Sequence, residues 1–104
     1  MVDAYIFDAV RSPRGKGKKS GSLHEITALS LLTQQLEAIK NRNNLDTSKV
    51  DDIIMGCVSP VAGQGADIAR SAAITANYNQ TAAGVTVNRF CASGLEAVNM
   101  AASK

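Results

Sequence analysis

Large aromatic side chains are scarce in these 104 residues, which contain two Phe, two Tyr and no Trp. Whatever core the chain builds must therefore be aliphatic and rich in alanine. An excess of one charge is also missing. Eleven Lys and Arg stand against nine Asp and Glu, a net +2, which is too little to argue for a nucleic-acid partner. Histidine occurs once, and the two cysteines, Cys57 and Cys91, do not stand in a C-x-x-C pair. No metal site is expected from such a set. A reduced, cytoplasmic setting is the natural expectation for two cysteines so placed. No apolar run approaches the ~20 residues needed to span a bilayer. Residues 1–5 lack the basic region of a signal peptide, so no membrane partner is expected.

What is present is an ordinary globular composition, 45% hydrophobic and 19% charged, and enough length for one small domain. Residues 2–10 are apolar, interrupted by Asp3 and Asp8, and read as a first strand. Residues 11–21 hold a proline, three glycines and five basic side chains and read as a loop. The loop does not fit the phosphate-binding pattern G-x-x-x-x-G-K-[ST]. It reads as a solvated segment, with help toward phosphate groups as the functional alternative.

Ser22-Leu23-His24-Glu25 has the form of a capping box. Ile26, Leu29, Leu32, Leu36 and Ile39 follow at helical spacing, which predicts a helix over about residues 25–42. A second strand is expected over residues 52–58. A helix over residues 66–76 follows, with Ala66, Ala69, Ala72, Ala73 and Ala76 leaving little bulk between it and its neighbours. A third strand is expected over residues 84–88. A third helix opens near Cys91 and runs over residues 92–104. The alternation predicts an α/β layered fold in the order β-α-β-α-β-α. The last helix has no stop signal before the end of the chain, which suggests a partial domain.

Cys91 is the sharpest chemical candidate. It sits where a β-rich run meets a helix, and the free N–H groups and dipole of a helix N-terminus favour negative charge. That setting favours the nucleophilic thiolate and offers donors to an oxyanion. Nucleophile elbows use the same strand-to-helix geometry with serine. The competing reading is that Cys91 is a small buried hydrophobe, and that reading is preferred for Cys57. A glycine inside a helix costs about 1 kcal/mol against alanine, so Gly94 suggests that something approaches the backbone there. His24 could partner Cys91 or serve the helix cap. Arg70 could pair with a carboxylate or line an interface.

The stretch Val87-Asn88-Arg89-Phe90-Cys91-Ala92-Ser93-Gly94-Leu95-Glu96-Ala97-Val98 closely resembles the acyl-enzyme cysteine signature of thiolases. Asp8-Ala9-Val10-Arg11-Ser12-Pro13-Arg14-Gly15, Met55-Gly56-Cys57-Val58-Ser59-Pro60 and Gly65-Ala66-Asp67-Ile68-Ala69-Arg70 resemble that family in order and spacing. The resemblance covers essentially the whole chain. Its Phe-Cys-Ala-Ser-Gly-Leu form is nearer to degradative acyl-CoA thiolases than to biosynthetic ones.

The resemblance implies a partial thiolase N-terminal half with a mixed sheet and flanking helices. It implies acyl transfer through Cys91, with a coenzyme A thioester as substrate and no permanently bound cofactor. It further implies that the catalytic His, the second catalytic Cys and most CoA-binding residues lie outside residues 1–104, so that these residues alone are inactive. A homodimer or homotetramer is implied for the whole enzyme, paired through the strand at residues 84–88. An unpaired edge there is an association risk. Two rivals remain: a condensing enzyme of the ketoacyl synthase type, and a non-catalytic folding or interaction module with an inert Cys91.

Overall fold

A computed structural model describes residues 2–104. The elements run α1 (Ala28–Arg42), a 3₁₀ turn (Thr47–Lys49), β1 (Asp52–Gly56), a second 3₁₀ turn (Ala62–Gln64), α2 (Ile68–Thr75), β2 (Ala83–Val87) and α3 (Ser93–Ala102). The α/β alternation expected from the sequence is present from α1 onward.

β1 and β2 pair in parallel, with Asp52 opposite Ala83 and Gly56 opposite Val87. Parallel neighbours need a crossover rather than a tight turn, and α2 supplies it. The ladder continues beyond β1, where the Cys57 N–H donates to Val87 O at 2.9 Å. The sheet is therefore parallel and two-stranded among the described residues, where the sequence suggested a mixed sheet of three strands.

The expected first strand accounts for the difference. Residues 2–10 form no ladder with β1 or β2, and Val2, Ile6 and Phe7 are 92%, 83% and 95% exposed. Apolar patterning marks a segment fit for pairing, but a strand exists only where another strand takes up its N–H and C=O groups. The segment is held instead at Asp8. Its carboxylate lies 3.0 Å from Arg42 Nε and accepts from Asn43 Nδ2 at 2.7 Å.

The helix start is the second difference. Thr27, not Ser22, is the N-cap of α1, and its hydroxyl accepts from Ser30 N at 3.0 Å. Residues 21–26 are taken up by tight turns, in which His24 N donates to Gly21 O and Ile26 N to Leu23 O. Those carbonyl contacts commit the backbone to turns before a helix can begin. α2 begins close to its expected position because Asp67 caps it, accepting from Arg70 N at 3.2 Å.

The core gathers Leu36 of α1, Ile53 of β1 and the alanines Ala69, Ala72, Ala73, Ala76 and Ala82, closed by Tyr78. All five alanines are fully buried, so the small-residue face of α2 packs as its composition suggests. Its closeness to β2 is set by Gly84, where a Cβ would stand 2.6 Å from Arg70 N. Tyr78 is the large piece, and its hydroxyl donates to Leu36 O at 2.8 Å across the core.

Candidate active site

Binding sites on parallel sheets gather beyond the carboxyl ends of the strands. Here β1 and β2 end side by side at Gly56 and Val87. Residues 88–92 then turn the chain from β2 into α3, and Cys91 stands in that turn, exposed.

The turn is built on a strained residue. Phe90 has φ 46°, a left-handed conformation that is an outlier for a bulky side chain. Such geometry costs on the order of 1–3 kcal/mol and persists only where surrounding contacts fix it. The contacts here are named and few. The Asn88 carbonyl oxygen of the side chain, Oδ1, accepts from Phe90 N at 2.9 Å. Asn88 Nδ2 donates to Val58 O at 3.1 Å, which ties the turn to the segment leaving β1. Ser93 Oγ accepts from Arg89 N at 2.8 Å and donates to Phe90 O at 2.6 Å. Ser93 is only 3% exposed, although it lies two residues from an exposed cysteine.

The donor set around Cys91 follows from these bonds. The N-cap Ala92 offers no side-chain cap. Ser93 N is taken by Phe90 O, and Ala92 N by Arg89 O. Among the described residues, no acceptor takes up the N–H groups of Gly94 and Leu95, while Cys91 is joined to Arg89 in an isolated backbone bridge. A helix start with unclaimed N–H groups is suited to hold negative charge. Gly94 borders open space, since a Cβ built there would meet nothing within 4 Å. The close approach suggested for Gly94 is therefore not made by the described residues of this chain.

Glu96, in the first turn of α3, lies 3.2 Å from Arg89 Nε. An acid there suits the helix dipole. It also pairs with the guanidinium of the turn, which holds that cation against the first turn of the helix.

The other candidates separate cleanly. Cys57 is buried, and its thiol faces Gln64 Oε1 at 3.5 Å; it is a core residue. His24 Nδ1 lies 3.1 Å from Gly17 O and its Nε2 3.8 Å from Glu25. These contacts belong to the turns before α1, and none joins His24 to Cys91. Arg70 bonds backbone oxygens, Ala82 O at 2.6 Å and Gln80 O at 3.3 Å, so neither a carboxylate nor an interface is needed to explain it. The cationic side chains of residues 11–19 are exposed and take part in no ion pair among the described residues. No group of three or more His, Cys, Asp or Glu is gathered as for a metal among the described residues. Among the described residues, no helix is long and apolar enough to cross a membrane.

Sequence reasoning missed three residues that make this turn: Gly56, Asn88 and Ser93. A Cβ on Gly56 would stand 2.5 Å from Gly94 N and 2.6 Å from Ser93 O, so the end of β1 lies directly beneath the opening of α3. The available signal was a glycine inside a strand, which often marks a close backbone approach.

Known proteins of the same pattern can be set beside this geometry. Residues 4–104 match the family model described as "Thiolase, N-terminal domain". A 3-ketoacyl-CoA thiolase of Psychrobacter sp. is 39% identical over 102 residues, and one of Shewanella denitrificans is 40% identical over 103. Each alignment covers 98% of this chain and 26% of the relative, so the chain spans about a quarter of the length of these proteins. Among solved structures, the Acat5 thiolase of Ascaris suum in complex with coenzyme A superposes with a TM-score of 0.71 at 29% identity. That match covers 79% of this chain and 21% of the other.

Proposed function

The chain belongs to the thiolase family, and from that premise we propose that Cys91 is the nucleophile of an acyl transfer between 3-ketoacyl-CoA or acyl-CoA and CoA. The observation that carries the reading is that exposed Cys91 lies in the turn that opens α3, whose Gly94 and Leu95 N–H groups no acceptor among the described residues claims. The names of the relatives and the coenzyme A bound to the Ascaris protein support the choice of substrate class.

In this reading the Cys91 thiolate attacks the thioester or keto carbon and an S–C bond forms. The carbonyl π pair moves to oxygen, where the Cys91 N–H and the N–H groups opening α3 receive it. Collapse of the tetrahedral species breaks the bond to the leaving group. That group is CoA thiolate from an acyl-CoA, or the acetyl-CoA enolate from a 3-ketoacyl-CoA, and it takes up a proton. The acyl group stays on Cys91 until a CoA thiol displaces it. Thioester and acyl-enzyme are the same functional class, which suits a reversible two-step exchange.

The proton transfers need a base. His24 is the single histidine of residues 1–104 and is occupied in the turns before α1. We therefore assign the base to residues outside this chain and expect residues 1–104 to accept an acyl group without turning it over. A homodimer or homotetramer and a cytoplasmic setting belong to the same proposal.

An activated acyl donor makes the test independent of the base. With p-nitrophenyl acetate, Cys91 should take up a hydroxylamine-labile acetyl group at least about tenfold faster than N-acetylcysteine, since even one oxyanion donor is worth more than that. Cys91→Ser should abolish the labile adduct seen by intact mass. Acylation at the rate of the free thiol would overturn the reading and leave Cys91 an ordinary surface cysteine.

A further inference from the structure

Ser93 is a buried polar side chain with no place in the acyl-transfer chemistry. At the second position past an exposed cysteine it is 3% exposed. A serine near a helix start ordinarily turns its hydroxyl onto the helix's own first N–H groups. This one turns backward. It accepts from Arg89 N at 2.8 Å and donates to Phe90 O at 2.6 Å. One hydroxyl thus holds the N–H of the residue before Phe90 and the carbonyl of Phe90 itself, the residue with positive φ. Asn88 grips the same residue from the other end, through Phe90 N at 2.9 Å.

A consequence concerns the donors. Because Ser93 does not cap α3, the N–H groups of Gly94 and Leu95 stay free, and the turn it holds is the one that carries Cys91. We propose that Ser93, seconded by Asn88, is a positioning residue for Cys91: it fixes Phe90 in the left-handed conformation that sets the sulfur against the unclaimed N–H groups of α3. This rests on the reading of Cys91 as nucleophile. Ser93 touches no reacting atom in it.

Positioning predicts a particular split. Attack on a carbonyl needs sulfur and N–H donors in one geometry, whereas displacement on a haloacetamide needs only an accessible sulfur. Ser93→Ala should therefore slow acylation of Cys91 by p-nitrophenyl acetate about tenfold or more, while alkylation by iodoacetamide stays within about twofold. Asn88→Ala, at an exposed position, should shift the same ratio in the same direction and keeps the test open if Ser93→Ala does not fold. Glycine adopts positive φ without strain, so adding Phe90→Gly to Ser93→Ala should recover most of the acylation rate.

All rates are read on the 104-residue chain by intact mass. If the wild-type chain acylates fast and both single variants match it, the positioning role falls and the nucleophile reading stands. A parallel loss of acylation and alkylation, with no recovery from Phe90→Gly, would also overturn it, since a merely collapsed turn behaves that way. If wild-type Cys91 acylates no faster than N-acetylcysteine, the nucleophile reading fails and this one with it.

Discussion

Gly56 at the end of β1 lies under Ser93 at the start of α3, so close that a Cβ on Gly56 would stand 2.6 Å from Ser93 O. The obstacle is backbone rather than a movable side chain, so any substituent must push α3 off the sheet. Gly56→Ala should cost about 1–3 kcal/mol, the usual range for overpacking, measured by urea unfolding. It should also slow acylation of Cys91 by p-nitrophenyl acetate. An alanine variant with unchanged acylation would mean that the elbow does not depend on this contact.

Tyr78 joins α1 to the segment after α2 through one hydroxyl, donated to Leu36 O at 2.8 Å. Tyr78→Phe keeps the ring packing and removes that bond, so about 0.5–1.5 kcal/mol should be lost in urea melts at neutral pH. Burial pushes the phenol of Tyr78 up from its ordinary value, so the neutral form is favoured by folding. Its contribution is complete below pH of about 10 and is lost as pH rises beyond that. The wild type should weaken in that alkaline window more steeply than the Phe variant.

Thr33 carries a buried hydroxyl with no partner among the described residues. A polar group left unpaired in the core costs about 1–3 kcal/mol, and valine has nearly the same shape. Thr33→Val should therefore raise the urea midpoint with an unchanged slope. A drop in midpoint would indicate that the hydroxyl finds a partner in solution.

The contrast between α2 and residues 2–10 explains how much of the fold was legible. α2 could be read from its alanines because the burial they imply is local to one helix face, and β1 and β2 flank it within 40 residues. The segment at residues 2–10 carries equally apolar patterning, but pairing depends on a partner strand that no local pattern names. The start of α1 turned on competition between two sets of hydrogen bonds, the turns at Gly21 and Leu23 against a cap at Ser22, and spacing alone cannot rank these. At the site, Cys91 was visible from its position between β2 and α3. Ser93 and Asn88 were not, because serine and asparagine near a helix start are ordinary capping residues. Only the direction of their hydrogen bonds sets them apart.

Asp8 tethers residues 2–10 to the end of α1. The hydrogen bond from Asn43, with the Ala9 N–H and the Arg42 guanidinium, holds its carboxyl below the usual carboxylate range. The ionised form is thus favoured when the tether is made. Its contribution is present above about pH 4 and fades as the pH falls through the lowered value. Protection of the Asn43 side-chain amide and the Ala9 N–H, taken relative to intrinsic exchange at each pH, should fall on acidification in the wild type, giving faster exchange than the tethered form would show. Asp8→Asn should show the faster exchange already at neutral pH, with acylation of Cys91 unchanged. Equal exchange in both proteins at neutral pH would show that the tether does not form.

Gly94 offers the clearest separation of stability from function. Its φ is not in the left-handed region, and a Cβ there meets nothing within 4 Å, so alanine fits the folded chain. Alanine also restricts the unfolded chain and favours helix, a gain of about 0.4–1 kcal/mol. Gly94→Ala should therefore raise the urea midpoint. The same methyl would project into the open side of the elbow, beside the N–H groups that receive the carbonyl oxygen in the proposed reaction. Acylation by p-nitrophenyl acetate should fall several-fold, and the fall should grow with the length of the acyl chain on the donor. Higher stability with undiminished acylation would place the incoming acyl group on another side of Cys91, and Gly94 would then be a glycine that the chemistry does not require.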